Sequence, residues 1–243
     1  MRTFRYDTVD STNERALGAL LAGTALHGDA HVARAQTAGR GRLGRRWESP
    51  AGEGVYLSLV VTAEALPPDG ALTLAAGLAV LDTCAALEVA GAALDWPNDV
   101  VVGDAKLAGI LTESRGLDPR APAWVVGVGL NVDHGRAVAA VGAQRAVTSL
   151  AGAGGRGDVA AAEGHLVDAL RQRVAEALAT PTRTFAAAFA RLVQGGAEVE
   201  VDCAGEHYAG RFSGLDPARG LCLDGATGRR WLPLAHVRAV ELT

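Results

Sequence analysis

The sequence predicts an α+β protein: a mixed sheet flanked by helices, followed by a small antiparallel β-barrel. Three observations carry this. Through residues 1–195, segments with a two-residue apolar period alternate irregularly with longer segments of helical period. After Gly195-Gly196 the texture changes to short alternating strands punctuated by Gly, Asp and Pro turns. No internal repeat or heptad run competes with this reading. The expected division is therefore a larger domain at 1–195 and a small barrel at 196–243.

Taken in order, Ser11 to Glu14 is spaced as a capping box that opens a helix, with Leu17, Leu20 and Leu21 as its stripe and Gly23 as its stop. "AHVARAQ" alternates as a strand, and "VYLSLVVT" at 55–62 is a second, rich in β-branched residues. Residues 70–90 read as a long helix through Leu74, Leu78, Leu81 and Leu87. "ALDW" is a short strand halted by Pro97. "DVVV" and "AKLAGILTE" pair as a hairpin around Gly103-Asp104. "WVVGVGLNV" at 124–132 is an apolar central strand carrying two glycines. A glycine-rich loop at 151–157 precedes helices at 158–179 and 182–194, the first with Leu166, Leu170, Val174 and Leu178 on one face. Five short segments, from "AEVEVDCAG" to "HVRAVEL", supply the barrel strands.

The 243 residues are 49% hydrophobic and 21% charged, a soluble globular balance long enough to bury a core. No apolar run reaches the roughly 20 residues of a membrane span, and the charged N-terminus lacks a signal-peptide core. With three cysteines and no CxxC pair, reduced thiols in a cytoplasmic protein are expected. The six histidines show no metal spacing. Net charge is −4, which disfavours nucleic acid as the main partner. Yet no acid lies between Asp29 and Glu48, where Arg34, Arg40, Arg42, Arg45 and Arg46 gather. Such local focusing suits a small anion. Lysine occurs once, at Lys106; every other one of the 23 basic residues is arginine.

"TAGRGRLGRRW" contains Gly39-x-Gly41-x-x-Gly44, the letters of a dinucleotide-binding fingerprint. That fingerprint needs a helix to open on the glycines. Here Pro50, Gly52 and Gly54 follow and then a strand, so no helix can start and the Rossmann reading fails. A single-strand nucleic-acid binder of the RGG type would want repeats and interleaved aromatics, and only Trp47 is present. What remains is a glycine-hinged loop whose arginines offer forked donors to carboxylate or phosphate oxygens.

Two further stretches define the loop's context: Trp96-Pro97-Asn98-Asp99, and Lys106-Leu107-Ala108-Gly109-Ile110-Leu111 before a strand containing Gly127, Gly129 and Asn131. With "STN" and Gly39-Arg40-Gly41-Arg42, this set resembles the biotin protein ligases over residues 8–132, and more weakly beyond. The resemblance implies a class II synthetase-like biotin/lipoyl ligase fold with an SH3-like C-terminal barrel. It implies ATP and Mg²⁺ as co-substrate and activator, biotin as substrate, a biotin carboxyl carrier domain as partner, and no redox cofactor. Biotin would be activated to biotinyl-5′-AMP and transferred to a carrier lysine. Ser11, Thr12, Asn13, Gln36, Gly39, Arg40, Arg42, Tyr56, Lys106, Gly109 and Gly127 would line the biotin site. Arg40, Arg42, Arg45, Trp47, Asn98, Asp99, Lys106 and Asn131 would face the nucleotide, with Asp99 meeting Mg²⁺. Lys106 and Arg42 would be catalytic. A weak homodimer is compatible with the family, and neither membrane nor nucleic acid is an expected partner.

The chain departs from the family pattern in places. Leu43 stands where another basic residue is usual, removing a donor. Asp95 replaces the basic residue before the Trp-Pro turn and is expected on a strand flank, with little effect. No aromatic near Thr148-Ser149-Leu150 marks an adenine contact. Ten residues before Ser11 leave no room for the DNA-binding domain some members carry, so a ligase and not a repressor is expected. The rival within the fold is a lipoate ligase or octanoyl transferase, against which the GRGR loop and the WPND–KLAGIL pair speak.

Overall fold

Strand-forming residues in the first part of the chain assemble into one seven-stranded sheet in this computed structural model, which describes residues 1–114, 121–133, 146–226 and 228–243. The strands are β1 (Thr3–Val9), β2 (Ala30–Gln36), β3 (Gly54–Thr62), β4 (Ala92–Asp95), β5 (Asp99–Val102), β6 (Ala105–Glu113) and β7 (Ala123–Asn131), in the order β1-β2-β3-β7-β6-β5-β4. Among these described strands only β1 and β2 run parallel. The near-continuous burial of β3 and β7 has a simple cause: other elements pack on both faces. Val55, Leu57 and Leu59 of β3 and Val126, Val128 and Leu130 of β7 enter the main core with helices α2 (Ala71–Ala86) and α3 (Val159–Ala179). On the other face Val60 and Val125 meet Ala16 and Leu17 of helix α1 (Thr12–Leu21). That second face is only partly covered, and the functional site occupies the remainder.

Several element ends differ from the expectation. Helix α2 stops at Ala86, followed by Glu88 at φ +65°. Helix α4 (Pro181–Phe189) ends five residues early because tertiary hydrogen bonds claim the chain beyond it. Leu94 N–H donates to Arg191 O and Val193 N–H to Leu94 O, both at 2.8 Å. The capping box does not form. Ser11 occupies the N-cap without a side-chain cap bond, the Thr12 N–H is satisfied by Gln36 Oε1 at 2.8 Å, and Glu14 pairs with Arg40.

The five C-terminal strands are all present: β8 (Glu198–Cys203), β9 (Glu206–Asp216), β10 (Gly220–Gly225), β11 (Gly228–Leu232) and β12 (Val237–Leu242). They form an antiparallel sheet ordered β11-β10-β9-β8-β12, whose two end strands are not hydrogen-bonded to each other among the described residues. Val199, Val201, Phe212 and Leu221 join the same hydrophobic cluster as α2 and α3, so the second sheet packs on the first part without a polar gap. The three cysteines are buried and unbridged, and burial pushes the Cys84 thiol up to about 12. Among the described residues no helix is long and apolar enough to cross a membrane.

Asp29, fully buried before β2, anchors the chain start. Burial alone would raise its carboxyl, but the Arg2 guanidinium and the N–H groups of Arg2 and Leu26 outweigh this and hold it well below the usual carboxylate range. Because the folded-state value is depressed, this stabilisation is present above the unfolded carboxyl value of about 4 and fades as pH falls below it. Asp29→Ala should therefore lower stability by roughly 1–3 kcal/mol at pH 7, through lost charge-assisted hydrogen bonds from Arg2 and the Leu26 N–H. Urea unfolding should show the gap to the unaltered chain narrowing progressively below about pH 4.

Candidate functional site

Three glycines at adjacent register positions leave a patch of sheet without side chains. Gly109 of β6 faces Gly129 of β7, and Gly127, two residues back on β7, faces Ser58 of β3. A Cβ on Gly127 would lie 2.3 Å from Asn13 Oδ1, one on Gly129 2.4 Å from the Trp47 indole, and one on Gly109 2.9 Å from the same ring. Neighbouring groups therefore sit where side chains would otherwise stand. Above this floor lies a cavity of about 510 Å³, walled by the start of α1, the arginine loop, the Trp96–Asp99 turn, β6, β7 and the last strand β12.

One end of the cavity is a polar network. Gln36 Oε1 accepts from the Thr12 N–H and hydroxyl at 2.8 and 3.2 Å, and Gln36 Nε2 donates to Ser49 Oγ at 2.8 Å. Ser58 Oγ lies 2.7 Å from Thr12 Oγ1 and 2.5 Å from Asn13 Oδ1. Asn13 Nδ2 donates to Glu113 Oε2 at 2.8 Å. Arg40 crosses above, bonded to both Glu14 and Glu113.

The other end is cationic. A β-bulge between β5 and β6 sets Leu107 as an extra residue, because Val100 pairs with Ala108 while Val101 pairs with Lys106. Leu107 and Ala108 are then both buried in the core, and Lys106 emerges on the glycine face. Its ammonium lies 2.7 Å from Asp99 Oδ2 and 5.5 Å from the centre of the Trp47 ring. The lysine side chain is 27% exposed, so its ammonium can still be reached from the cavity. Arg42 donates to Asn98 Oδ1 at 2.9 Å, and Asn98 Nδ2 donates to Ile110 O at 2.9 Å, tying loop, turn and β6 together. Burial holds the Arg42 guanidinium below its usual value; Asp99 offsets part of this and Arg45 adds to it. Among the described residues, three buried polar atoms of the cavity have no hydrogen-bond partner: Trp47 Nε1, Trp96 Nε1 and Asp99 Oδ1. Such atoms are expected to meet a ligand or water.

The arginine loop is a small closed hairpin. Gly41 N–H donates to Arg45 O at 2.8 Å and Trp47 N–H to Gly39 O at 3.0 Å, with Leu43 at the tip in the left-handed region (φ 56°) and 89% exposed. Most expected residues converge on the cavity: Ser11, Thr12, Asn13, Gln36, Arg40, Arg42, Arg45, Trp47, Asn98, Asp99, Lys106, Gly109 and Gly127. Three expected residues lie outside its wall. Tyr56 does not form the apolar wall; its ring is buried under Gly54 and its hydroxyl donates to Pro50 O at 2.9 Å. Gly39 packs against the Trp47 and Ser49 segment. Asn131 is buried and donates to Thr148 O at 3.0 Å, pinning the 148–150 segment to the end of β7. Asp95 is not an inert flank position, for Gln194 Nε2 donates to its Oδ1 at 2.5 Å.

Sequence reasoning missed Ser58, Glu113, and Arg238 and Glu241 of β12. Ser58 carried a signal, being a small polar residue in the middle of an apolar strand. Nothing local marks Arg238 or Glu241, which reach the cavity only because the second sheet docks there.

With this geometry in view, the family is defined. A sequence profile of the biotin/lipoate A/B protein ligase family matches residues 6–131, and the chain belongs to that family. The biotin--[acetyl-CoA-carboxylase] ligase of Paracoccus denitrificans is 36% identical over 94% of this chain and 96% of its own. The enzyme of the same name from Mycobacterium tuberculosis is 45% identical over 50% of this chain and 46% of its own. The chain spans less than half the length of several bacterial relatives it matches. The biotin protein ligase of Aquifex aeolicus, solved in complex with biotin and ATP, shares the fold over 100% of this chain and 99% of that one, with a TM-score of 0.82 at 24% identity.

The glycine floor supplies a direct check. Gly129→Ala should push the Trp47 indole off the sheet, a change resolved as a shift in tryptophan fluorescence with unchanged far-ultraviolet circular dichroism. The stability cost should be about 1–3 kcal/mol, as for overpacked sites. Unaltered indole emission would show that the floor is not what seats Trp47.

Proposed function

We propose that this chain is a biotin protein ligase. In the first step the biotin carboxylate attacks the α-phosphorus of ATP, releasing pyrophosphate and leaving biotinyl-5′-AMP. In the second, a lysine amine of a biotin carboxyl carrier domain attacks the mixed anhydride, forming an amide and releasing AMP. The observation that carries the reading is Lys106: the one lysine, turned by a bulge onto the bare glycine face and paired with Asp99 at 2.7 Å. A compact ammonium there can lie between two anions, the carboxylate and the α-phosphate, where a planar guanidinium is too wide.

The other residues divide naturally in this reading. Thr12, Asn13, Gln36 and Ser58 offer the alternating donors and acceptors that a ureido ring requires. A dithiolane or plain acyl chain has no such groups, which counts against a lipoate or octanoyl substrate within the family. Biotin ligases among the relatives, one aligned along nearly the whole chain, support the same choice. Arg42 and Asn98 would meet the phosphates and Arg40 would close over the adenylate. Mg²⁺ arriving with ATP would neutralise phosphate charge. The buried Asp99 Oδ1, without a hydrogen-bond partner among the described residues, suits a hard cation that needs only one or two protein carboxylates. An acyl-adenylate hydrolyses if water reaches it, and the glycine-hinged arginine loop is placed to exclude water. The net charge of −4 favours a protein partner over duplex DNA in this reading, and three unbridged cysteines suit a cytoplasmic enzyme.

The decisive measurement is biotin-dependent exchange of labelled pyrophosphate into ATP; its absence from the unaltered chain would overturn the reading. Lys106→Arg should lose exchange by a factor corresponding to roughly 2.7–4 kcal/mol, the cost of a lost oxyanion donor, while biotin binding is retained. Near-normal exchange by that variant would remove Lys106 from the chemistry. Limited proteolysis at Arg40 to Arg46 should slow when biotin and ATP are added together, and equal cleavage with and without them would show that the loop does not close over ligand.

A further inference from the structure

We propose that Gln194 is a positioning residue for the nucleotide end of the site, acting through Asp95 on the turn that carries Asn98 and Asp99. The inference rests on the ligase reading and adds to it a residue far from every site motif in sequence.

Asp95 and Asp99 are direct partners at the turn end of the β4–β5 hairpin, flanking Trp96, Pro97 and Asn98. Like charges at facing positions repel and splay a hairpin end. Each carboxylate is met from a different side. Asp99 receives the Lys106 ammonium at 2.7 Å, and Asp95 receives the Gln194 side-chain amide at 2.5 Å. The same carboxamide accepts the Trp96 N–H through Oε1 at 3.3 Å, so one side chain binds both the last residue of β4 and the first residue of the turn. Gln194 is 4% exposed, which removes water as a competitor for these bonds.

Glutamine suits this position because it both donates and accepts. A carboxylate at 194 could accept from Trp96 but would face the Asp95 carboxylate with no proton to offer. The segment bearing Gln194 is itself fixed, by the Leu94–Arg191 and Val193–Leu94 backbone bonds and by Arg191 Nη2 donating to Ala92 O at 3.2 Å. Immediately beyond, Gly196 N–H donates to Phe212 O and Phe212 N–H to Ala197 O, which joins the segment to β9 of the second sheet. Gln194 therefore connects the turn, and through it the Asp99–Lys106 pair and the Asn98–Arg42 bond, to the unit whose strand β12 lines the cavity. Releasing Asp95 would let it compete with Asp99 for Lys106 and would loosen Asn98.

The test uses the full chain and three variants: Gln194→Glu, Asp95→Asn, and the two combined. In the combined variant the amide and carboxylate exchange places. The amide introduced at position 95 can donate to the carboxylate introduced at position 194, which can still accept from Trp96. The KM for ATP in biotin-dependent pyrophosphate exchange should rise about tenfold in Gln194→Glu, the scale of coupling within one hydrogen-bond network. Biotin affinity should stay unchanged, and the combined variant should recover most of the loss. An unchanged KM for ATP in Gln194→Glu overturns the inference. So does a parallel loss of ATP affinity, biotin affinity and thermal stability that the combined variant fails to rescue, since that pattern marks a merely structural role. Should the unaltered chain show no exchange, the ligase reading fails by itself. ATP binding by calorimetry across the same variants then still decides Gln194, and no ATP binding by the unaltered chain overturns both.

Discussion

The site is organised around a stretch of sheet from which side chains have been removed. Gly109, Gly127 and Gly129 cost the strands packing and conformational entropy, and strands tolerate such residues where something must approach the backbone. Here Asn13 and Trp47 make that approach, to within distances a methyl group would forbid. Helix α1, the arginine loop and the Trp96–Asp99 turn are then arranged around one shared surface. The polar network at one end and the cations at the other are held apart by its length.

The charged groups are organised by the same surface. Arg40 is met by Glu14 and Glu113, and Lys106 by Asp99, while the half-buried Arg42 is anchored by the neutral Asn98. A cation poised for an anionic substrate must be desolvated enough to bind strongly and paired enough to remain charged. These contacts run between separate elements, so the same side chains that would meet the substrate also link the loop and the turn to the sheet.

Much of the fold was legible in the sequence, because strand and helix periods are local properties. Six of the seven strands of the first sheet, all five of the second, the β5–β6 hairpin and the course of α3 follow from residue pattern, whereas β1 (Thr3–Val9) is not among the expected strands. Errors fell where tertiary bonds overrode local preference. Helix α4 ended early because residues 191–193 bond to β4, and the capping box yielded when Gln36 took the Thr12 N–H and Arg40 took Glu14. Tyr56 and Asn131 lie in motif-bearing strands yet are turned to structural partners, a distinction that spacing cannot make.

By itself the sequence determined which motifs the chain carries, with their amides, arginines and glycines, and that a single lysine would stand among apolar residues. What only the tertiary structure decided is where those groups point. Strict alternation along β6 would send Lys106 into the core beside Ala108 and Ile110, and the extra residue at Leu107 reverses that. A bulge is set by the register of two strands pairing, not by either strand's own residues. Similarly, Gln194 reaches Asp95, and Arg238 and Glu241 reach the cavity, only through the docking of elements far apart in the chain. Such contacts depend on how surfaces fit in space, and no local period records them.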